Sequence, residues 1–317
     1  MPRDAAVVAD AGEGGPRITF TIKPARAKGT ALGKRCTIAG EPLVASCIGG
    51  PEGLALDTAG VLWVVSGTEV RRYRRADGAD CRYEPAGEPV ALPAENPRPQ
   101  PLDKGPVYMR SGGAAWHLVA APGAIYAHDY LGGMFRIDRG KAEPACVDVF
   151  GYESAAALGG KLLVARKGIE QLALGPKCKA SPAKLGAPDL RGTLHVLGGV
   201  LHVATRDHAL VRLDGTASTT LAADAKLCSV WTAFACGDGA CLVDGNCRAI
   251  LQLDADGKTL RKLEHDALFE PVPWSIPAAV TRADGTVVLL ARLRDGHGAA
   301  ETCEGALYEL PPALFAR

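Results

Sequence analysis

The scarcities of this chain limit what it can be. Aromatic residues make up 5% of its 317 residues, and Asn occurs only twice, at Asn96 and Asn246. Asn-rich oxygen cages for hard cations are therefore hard to assemble from it. The longest apolar runs, such as Val287–Ala291 and Ala114–Ala121, fall far short of the ~20 residues of a membrane helix and are bounded by Gly, Pro or Arg. No membrane span is expected. The chain opens Met1-Pro-Arg-Asp and continues with small and acidic residues, so no signal peptide is expected at this start. Neither sign of charge dominates: 36 Lys and Arg face 35 Asp and Glu, for a formal charge of +1. That balance gives no global case for nucleic-acid or membrane-surface binding. Long stretches of helical periodicity are missing, as are Cys-x-x-Cys, Gly-x-Ser-x-Gly, Gly-x-x-x-x-Gly-Lys and His-Glu-x-x-His motifs. Zinc knuckles, hydrolase elbows, phosphate loops and zincin helices are thereby excluded as motif-level readings.

Glycine and proline, by contrast, are plentiful at 38 and 22, which favours many short strands joined by turns. The first 30 residues are a run of small and acidic side chains, including Asp4-Ala-Ala-Val-Val-Ala-Asp10, that cannot bury enough apolar surface to offset the entropy of ordering. They are expected to form an unstructured tail, suited to a spacer behind a lipid tether in a precursor. Ten cysteines, an even number, suggest an oxidising compartment. Cys236-Gly-Asp-Gly-Ala-Cys241 is the clearest pair, because its Gly-rich turn folds the two thiols back on each other.

A repeat begins near residue 50: an apolar strand, a tight turn with Gly, a second strongly apolar strand, a polar break, then a third alternating strand. Gly60, Gly123, Gly160, Gly199, Gly239 and Gly285 mark the turns, and most of their spacings lie near ~40 residues, the length of a four-stranded propeller blade. The one long interval holds the Pro-rich stretch Ala91–Pro101, expected to be an inserted loop. Third strands are expected at Glu69–Arg74, Gly133–Asp138, Gly168–Leu174, His208–Asp214, Arg248–Asp254 and Gly305–Leu310. The sixth leaves its blade without an outer strand. A segment near Lys34–Ile38 or Pro42–Ile48 is expected to supply it and close the ring, which removes an exposed sheet edge. The fold class expected is all-β, a six-bladed β-propeller over residues 31–317.

One blade carries a family resemblance. Pro51-Glu-Gly-Leu-Ala-Leu-Asp-Thr-Ala-Gly-Val-Leu-Trp-Val-Val65, continuing through Val70-Arg-Arg-Tyr73 to Gly78, resembles an NHL-type repeat, as also found in the six-bladed gluconolactonase-like and strictosidine-synthase-like propellers. The resemblance implies the fold. It also implies where a gluconolactonase-like metal would sit: on a Glu opening an early inner strand, here Glu52, with Asn and Asp from other blades. The later positions hold Tyr152, Arg191, Trp231 and Pro277 instead, which puts that mechanism in doubt.

In such a propeller the loops between blades, and those between second and third strands, gather on one face. Counting back eight residues from each turn glycine places Glu52, Ala115, Tyr152, Arg191, Trp231 and Pro277 at the inner-strand openings. The other loops add His128-Asp129-Tyr130, Arg166-Lys167, Arg206-Asp207, Asp244 with Asn246, and Arg292 with Arg294. Several of these are cations that could hold an anion through bidentate contacts, and Trp231 and Tyr152 offer stacking surface for a sugar or an aromatic ring. The candidate ligand-binding set is Glu52, His128, Asp129, Tyr152, Arg166, Arg191, Arg206, Trp231, Asp244 and Arg292. His128 is expected to open toward the loop face beside Asp129, whereas His117, His195 and His202 fall on strands and read as wall residues. Asp254-Ala-Asp-Gly257 looks like the opening of a calcium loop but reads better as a strand turn. The functional expectation is an extracytoplasmic, monomeric binding propeller for a protein, a glycan or a small anionic ligand, without cofactor or bound metal. The competing expectation is a lactonase-like hydrolase or lyase using Glu52 and His128.

Overall fold

The structure, a computed structural model, describes residues 32–46, 53–78, 80–93, 116–129, 133–138, 140–146, 151, 153–166, 168–175, 178–185, 187, 190–293 and 302–316, with the side chains of 45, 46, 302 and 303 left out. The tail proposed for residues 1–30 and most of the Pro-rich stretch lie outside this set.

The described chain is a six-bladed β-propeller. Three short strands come first, β1 (Lys34–Arg35), β2 (Thr37–Ile38) and β3 (Leu43–Ser46). Blade one then runs outward from β4 (Leu54–Leu56) through β5 (Leu62–Ser66) and β6 (Glu69–Arg75) to β7 (Arg82–Pro85), with β8 (Val90–Ala91) pairing back on β6. Blade two is β9 (His117–Ala121), β10 (Ala124–Asp129), β11 (Gly133–Asp138) and β12 (Lys141–Cys146), and blade three is β13 (Ser154–Leu158), β14 (Lys161–Ala165), β15 (Ile169–Ala173) and β16 (Lys179–Pro182). Blade four comprises β17 (Gly192–Leu197), β18 (Val200–Thr205), β19 (Leu210–Asp214) and β20 (Ala217–Leu221). Blade five comprises β21 (Val230–Cys236), β22 (Gly239–Asp244), β23 (Ala249–Leu253) and β24 (Thr259–Glu264). Blade six has only three strands of its own, β25 (Ser275–Thr281), β26 (Val287–Leu293) and β27 (Thr302–Leu310).

Each blade buries both faces against its neighbours, which explains why second strands such as β14 (Leu162-Leu-Val-Ala165) and β26 are apolar without alternation. Six apolar clusters result, one per seam. Trp116, Phe135 and Val65 fill the seam between blades one and two; Leu163, Leu201 and Val203 fill that between three and four; Phe234, Ile276, Tyr308 and Phe315 fill that between five and six. Inner strands carry small residues, Ala155-Ala-Ala157 in blade three for instance, because the strands converge near the axis. Outer strands are polar, as in Ala217-Ser-Thr-Thr220, whose four residues are all exposed.

The turn chemistry follows the sequence closely. In blade one Asp57 Oδ1 accepts the amides of Ala59 and Val61 at 2.9 Å each, and its Oδ2 accepts Trp63 Nε1 at 2.9 Å, so one carboxylate fixes both the turn and the second strand. Asp254 repeats the device, accepting the amides of Asp256 and Lys258, which makes Asp254–Gly257 a strand turn. Five of the six turn glycines adopt φ between +73° and +81°. Gly239 is the exception: the tight turn is Gly237-Asp238, and Gly239 lies in β22, where a Cβ would stand 2.2 Å from the Leu253 carbonyl oxygen.

Both candidate closing segments pair with blade six. β1 joins β27 at Tyr308 and Glu309, and β3 joins the same strand at 302–305. Between them the chain crosses to blade one, where β2 lies parallel to β7. The crossing is fixed by the Cys36–Cys81 disulfide and by Glu309, whose Oε1 accepts the Tyr83 hydroxyl at 2.8 Å and whose two oxygens accept Arg75 Nε at 2.9 and 3.1 Å. Burial, and then the Glu309 carboxylate, push the Tyr83 phenol well above its ordinary value. Cys146–Cys178 ties blade two to blade three, and Cys228–Cys247 and Cys236–Cys241 staple the two ends of the inner hairpin of blade five.

Replacing Cys36 and Cys81 together by Ser releases a loop closed across 45 residues. A loss of about 3 kcal/mol in urea unfolding is expected. Deleting residues 1–30 is expected to leave the transition unchanged, whereas deletion through Ser46 should abolish its cooperativity.

Candidate functional site

The loop face collects the blade-to-blade crossings and the turns between second and third strands. Its described polar side chains are largely engaged with one another. Arg206, at the end of β18, pairs with Glu153, at the mouth of blade three, and so bridges two blades. Arg166 makes a two-pronged contact with Glu170 four residues on, Nε to Oε2 at 2.8 Å and Nη2 to Oε1 at 3.1 Å. Asp244, 2% exposed, accepts the Cys228 amide at 3.0 Å and the Ser229 amide at 2.9 Å, fastening the crossing into blade five onto β22. A carboxylate taking backbone amides in this way is a structural staple.

The expected site residues separate accordingly. Arg191, on the crossing into blade four, and Arg206, in the turn between β18 and β19, are exposed, and Trp231 stands half-buried at the mouth of blade five. Arg292 is buried at 3%, on the side of β26 that faces blade one, and Asp129 is buried at 7%. Glu52 and Tyr152 lie outside the described residues, as do Tyr130, Lys167 and Arg294. His128 requires a correction: its side chain does not open toward the loop face. It is fully buried in the seam between blades two and three, where it stacks on His117 with ring centres 4.7 Å apart and planes 8° from parallel. The reason is alternation, since β10 places Tyr126 and His128 on the same side, toward blade three. Burial holds the His117 imidazole down at about 4 and His128 well below its ordinary value, with His117 adding to the latter effect.

Counting from the turns misplaced two inner-strand openings: both inner strands are bulged, and in blade five the count also began at Gly239, one residue past the turn. β21 carries a bulge between Val230 and Thr232, and β25 one between Ser275 and Ala278, so Trp231 and Pro277 are residues within the bulges. A bulge inserts one residue and re-aims its side chain. The indole of Trp231 is laid over Gly245, where a Cβ would meet the ring at 1.8 Å. Sequence reading passed over Trp274, 52% exposed at the opening of blade six, and the two acids Glu153 and Glu170. The i,i+4 spacing of Arg166 and Glu170 was a usable signal.

Two trios of metal-ligating residue types lie close together among the described residues, Cys36/Cys81/Glu309 and Cys228/Asp244/Cys247. Neither fits a metal ion. In each the sulfurs are bonded to one another, and the carboxylate is occupied by Arg75 and Tyr83 or by backbone amides.

With this geometry established, solved structures can be compared. Regucalcin, a calcium-binding protein from Agrobacterium tumefaciens, superposes with a TM-score of 0.51 at 14% identity, covering 87% of this chain and 95% of that one. The shared fold is the six-bladed β-propeller. An inactive variant of virginiamycin B lyase from Staphylococcus aureus, solved with quinupristin, covers 86% of this chain and 89% of its own at TM-score 0.49 and 11% identity. An auxiliary nutrient-binding protein from Bacteroides thetaiotaomicron covers 82% and 69% at TM-score 0.49 and 9% identity. No protein-family model and no curated protein matches the sequence. At these identities the likeness is one of fold, which enzymes and binding modules share.

The buried histidines carry a pH dependence. His265, 2% exposed against Phe269, is held at about 4 by burial, with the Arg248 charge adding to the effect. Its folded value lies below the unfolded one, so the unfolded chain takes up the proton first as pH falls. Stability should be complete above about pH 6.5 and decline toward pH 4, by about 3 kcal/mol for this one group. Urea unfolding between pH 7 and 4.5 should show a shallower decline in His265→Leu than in the parent.

Proposed function

We propose that this chain is an extracytoplasmic, non-enzymatic binding propeller whose loop face takes a protein, a glycan or another anionic ligand. One observation carries the reading. Three acids described on that face are spent on positioning, Glu153 on Arg206, Glu170 on Arg166 and Asp244 on backbone amides, while Arg191 and Arg206 still face solvent with Asp207 the one exposed acid beside them among the described residues. Arg206 keeps 66% of its side-chain surface exposed even while paired. The result is a rigid face with outward guanidinium groups, suited to holding an anion at little cost in ordering.

Other features support the same reading. Four disulfides among the described residues, two of them joining separate blades, suit an oxidising compartment. No helix of the described chain is long and apolar enough to cross a membrane. Residues 1–30 would serve as a tether, and the polar outer strands of the blades favour a monomer by discouraging edge pairing. Glu52, Asp129, Tyr152, Arg166, Trp231 and Asp244 remain with the proposed face, while His128 and Arg292 belong to the seams beneath it.

A thermal-shift screen of anionic glycans and metabolites should yield a compound that raises the melting temperature, because only the folded state binds it. Arg191→Glu combined with Arg206→Glu should weaken that compound at least about tenfold, while moving the melting temperature itself little. Unchanged affinity in the double variant would overturn the proposed face, and a tightly held divalent ion found by elemental analysis would favour the lactonase-like alternative.

A further inference from the structure

Two of the four tryptophans stand at the loop-face openings of adjacent inner strands, β21 and β25. Trp231 packs against the apolar cluster between blades five and six, and Trp274 immediately precedes the inner strand of blade six, 52% exposed. The other two are committed to the seam between blades one and two, Trp116 buried at 4% and Trp63 bonded to Asp57 beneath the Arg72 guanidinium.

Both tryptophans are carried on unusually fixed backbone. Trp231 is the bulged residue of a hairpin held at its loop-face end by Cys228–Cys247 and Asp244 and at its far end by Cys236–Cys241. The crossing that carries Trp274 is pinned three times. Phe269 is buried at 2% edge-on to Tyr308, the Tyr308 hydroxyl donates to the Pro271 carbonyl at 2.8 Å, and the Trp274 amide donates to the Arg292 carbonyl at 2.8 Å. A single exposed aromatic needs no explanation, but Trp274 is exposed on a rigid mount at the inner-strand opening next to that of the half-buried, equally fixed Trp231. Beside Trp231 the turn after β22 exposes Asn246 and Arg248, and Arg248 holds φ of +51°, a conformation that side-chain-bearing residues adopt at a cost of about 1 kcal/mol.

We propose that this mouth is a saccharide subsite, with the Trp231 and Trp274 indoles as stacking faces for pyranose rings and the Asn246 amide and Arg248 guanidinium as partners for ring hydroxyls. The chemistry is specific to that class. A pyranose presents a face of C–H groups that packs on an indole and a rim of paired hydroxyls that matches planar, fixed donors and acceptors. Rigid mounting removes the ordering cost that a weak, shallow sugar contact could not offset. The inference rests on the binding reading of the loop face and narrows it to a glycan.

The test titrates the full chain with cellohexaose, chitohexaose, xylohexaose and hexagalacturonate, following tryptophan emission. At least one should shift the emission, and Trp274→Ala should weaken that sugar at least about tenfold with the melting temperature unchanged, because its side chain is half exposed. Trp231→Phe, which keeps an aromatic ring over Gly245, should weaken it several-fold. The inference is overturned if none of the four sugars alters the emission, or if Trp274→Ala binds as tightly as the parent. The Arg191→Glu, Arg206→Glu double variant separates the two readings. Should it lose an anionic compound while the tryptophan variants bind every compound normally, the saccharide subsite fails and the loop-face reading stands; should it too bind normally, both fail.

Discussion

The structure depends on how its ring is closed. Five blades are built from consecutive strands and would stack as an open array, leaving one apolar face at each end. The sixth is completed only when β1 and β3 pair with β27 while β2, separated from β1 by Cys36 alone, pairs with β7. A short stretch of chain thus belongs to two blades at once, and Cys36, at the point of crossing, is bonded to Cys81 on the receiving side. The buried Glu309 shares that joint with Arg75 and Tyr83, so a charge that would be costly alone is met from both blades. Closure lets all six seams bury two faces, and it brings loops far apart in sequence to one face.

Much of this was legible in the residues because turns and inner hairpins are locally encoded. Asp57, Gly60 and Trp63 specify a turn and the strand after it through three hydrogen bonds, and such signals recur at blade length. The third strands agree with expectation to within three residues for the same reason, and the Cys236–Cys241 pair forms across its Gly-rich turn. The closing strands were identifiable from a deficit, since blade six lacked an outer strand. Their division, with Thr37–Ile38 leaving for blade one, was not, because two-residue strands carry no periodicity.

The site was less legible, and the reasons are equally physical. Alternation decides whether a residue at a strand end faces a loop or a seam, and one position reverses the answer. His128 fell on the seam side for that reason. Bulges in β21 and β25 displaced Trp231 and Pro277 from the positions that counting assigned. Pairing is invisible to composition: Arg166 and Arg206 read as part of a cationic cluster, yet each has a carboxylate partner set by blade packing. Trp274 carried no pattern at all, and its standing comes from the anchors that Tyr308 and Arg292 place on its crossing.

The order in which the ring's strands leave the ribosome has a consequence for biogenesis. Of the ring's strands β1 and β3 emerge early but find their partner only in β27, more than two hundred and fifty residues later. Until then blade one presents a face destined for blade six, and the thiol of Cys36 can reach Cys81 before any closure has taken place. Early oxidation at that position would prearrange the segment against blade one and leave it waiting for β27. One incomplete seam would thus stay open for most of the chain's synthesis.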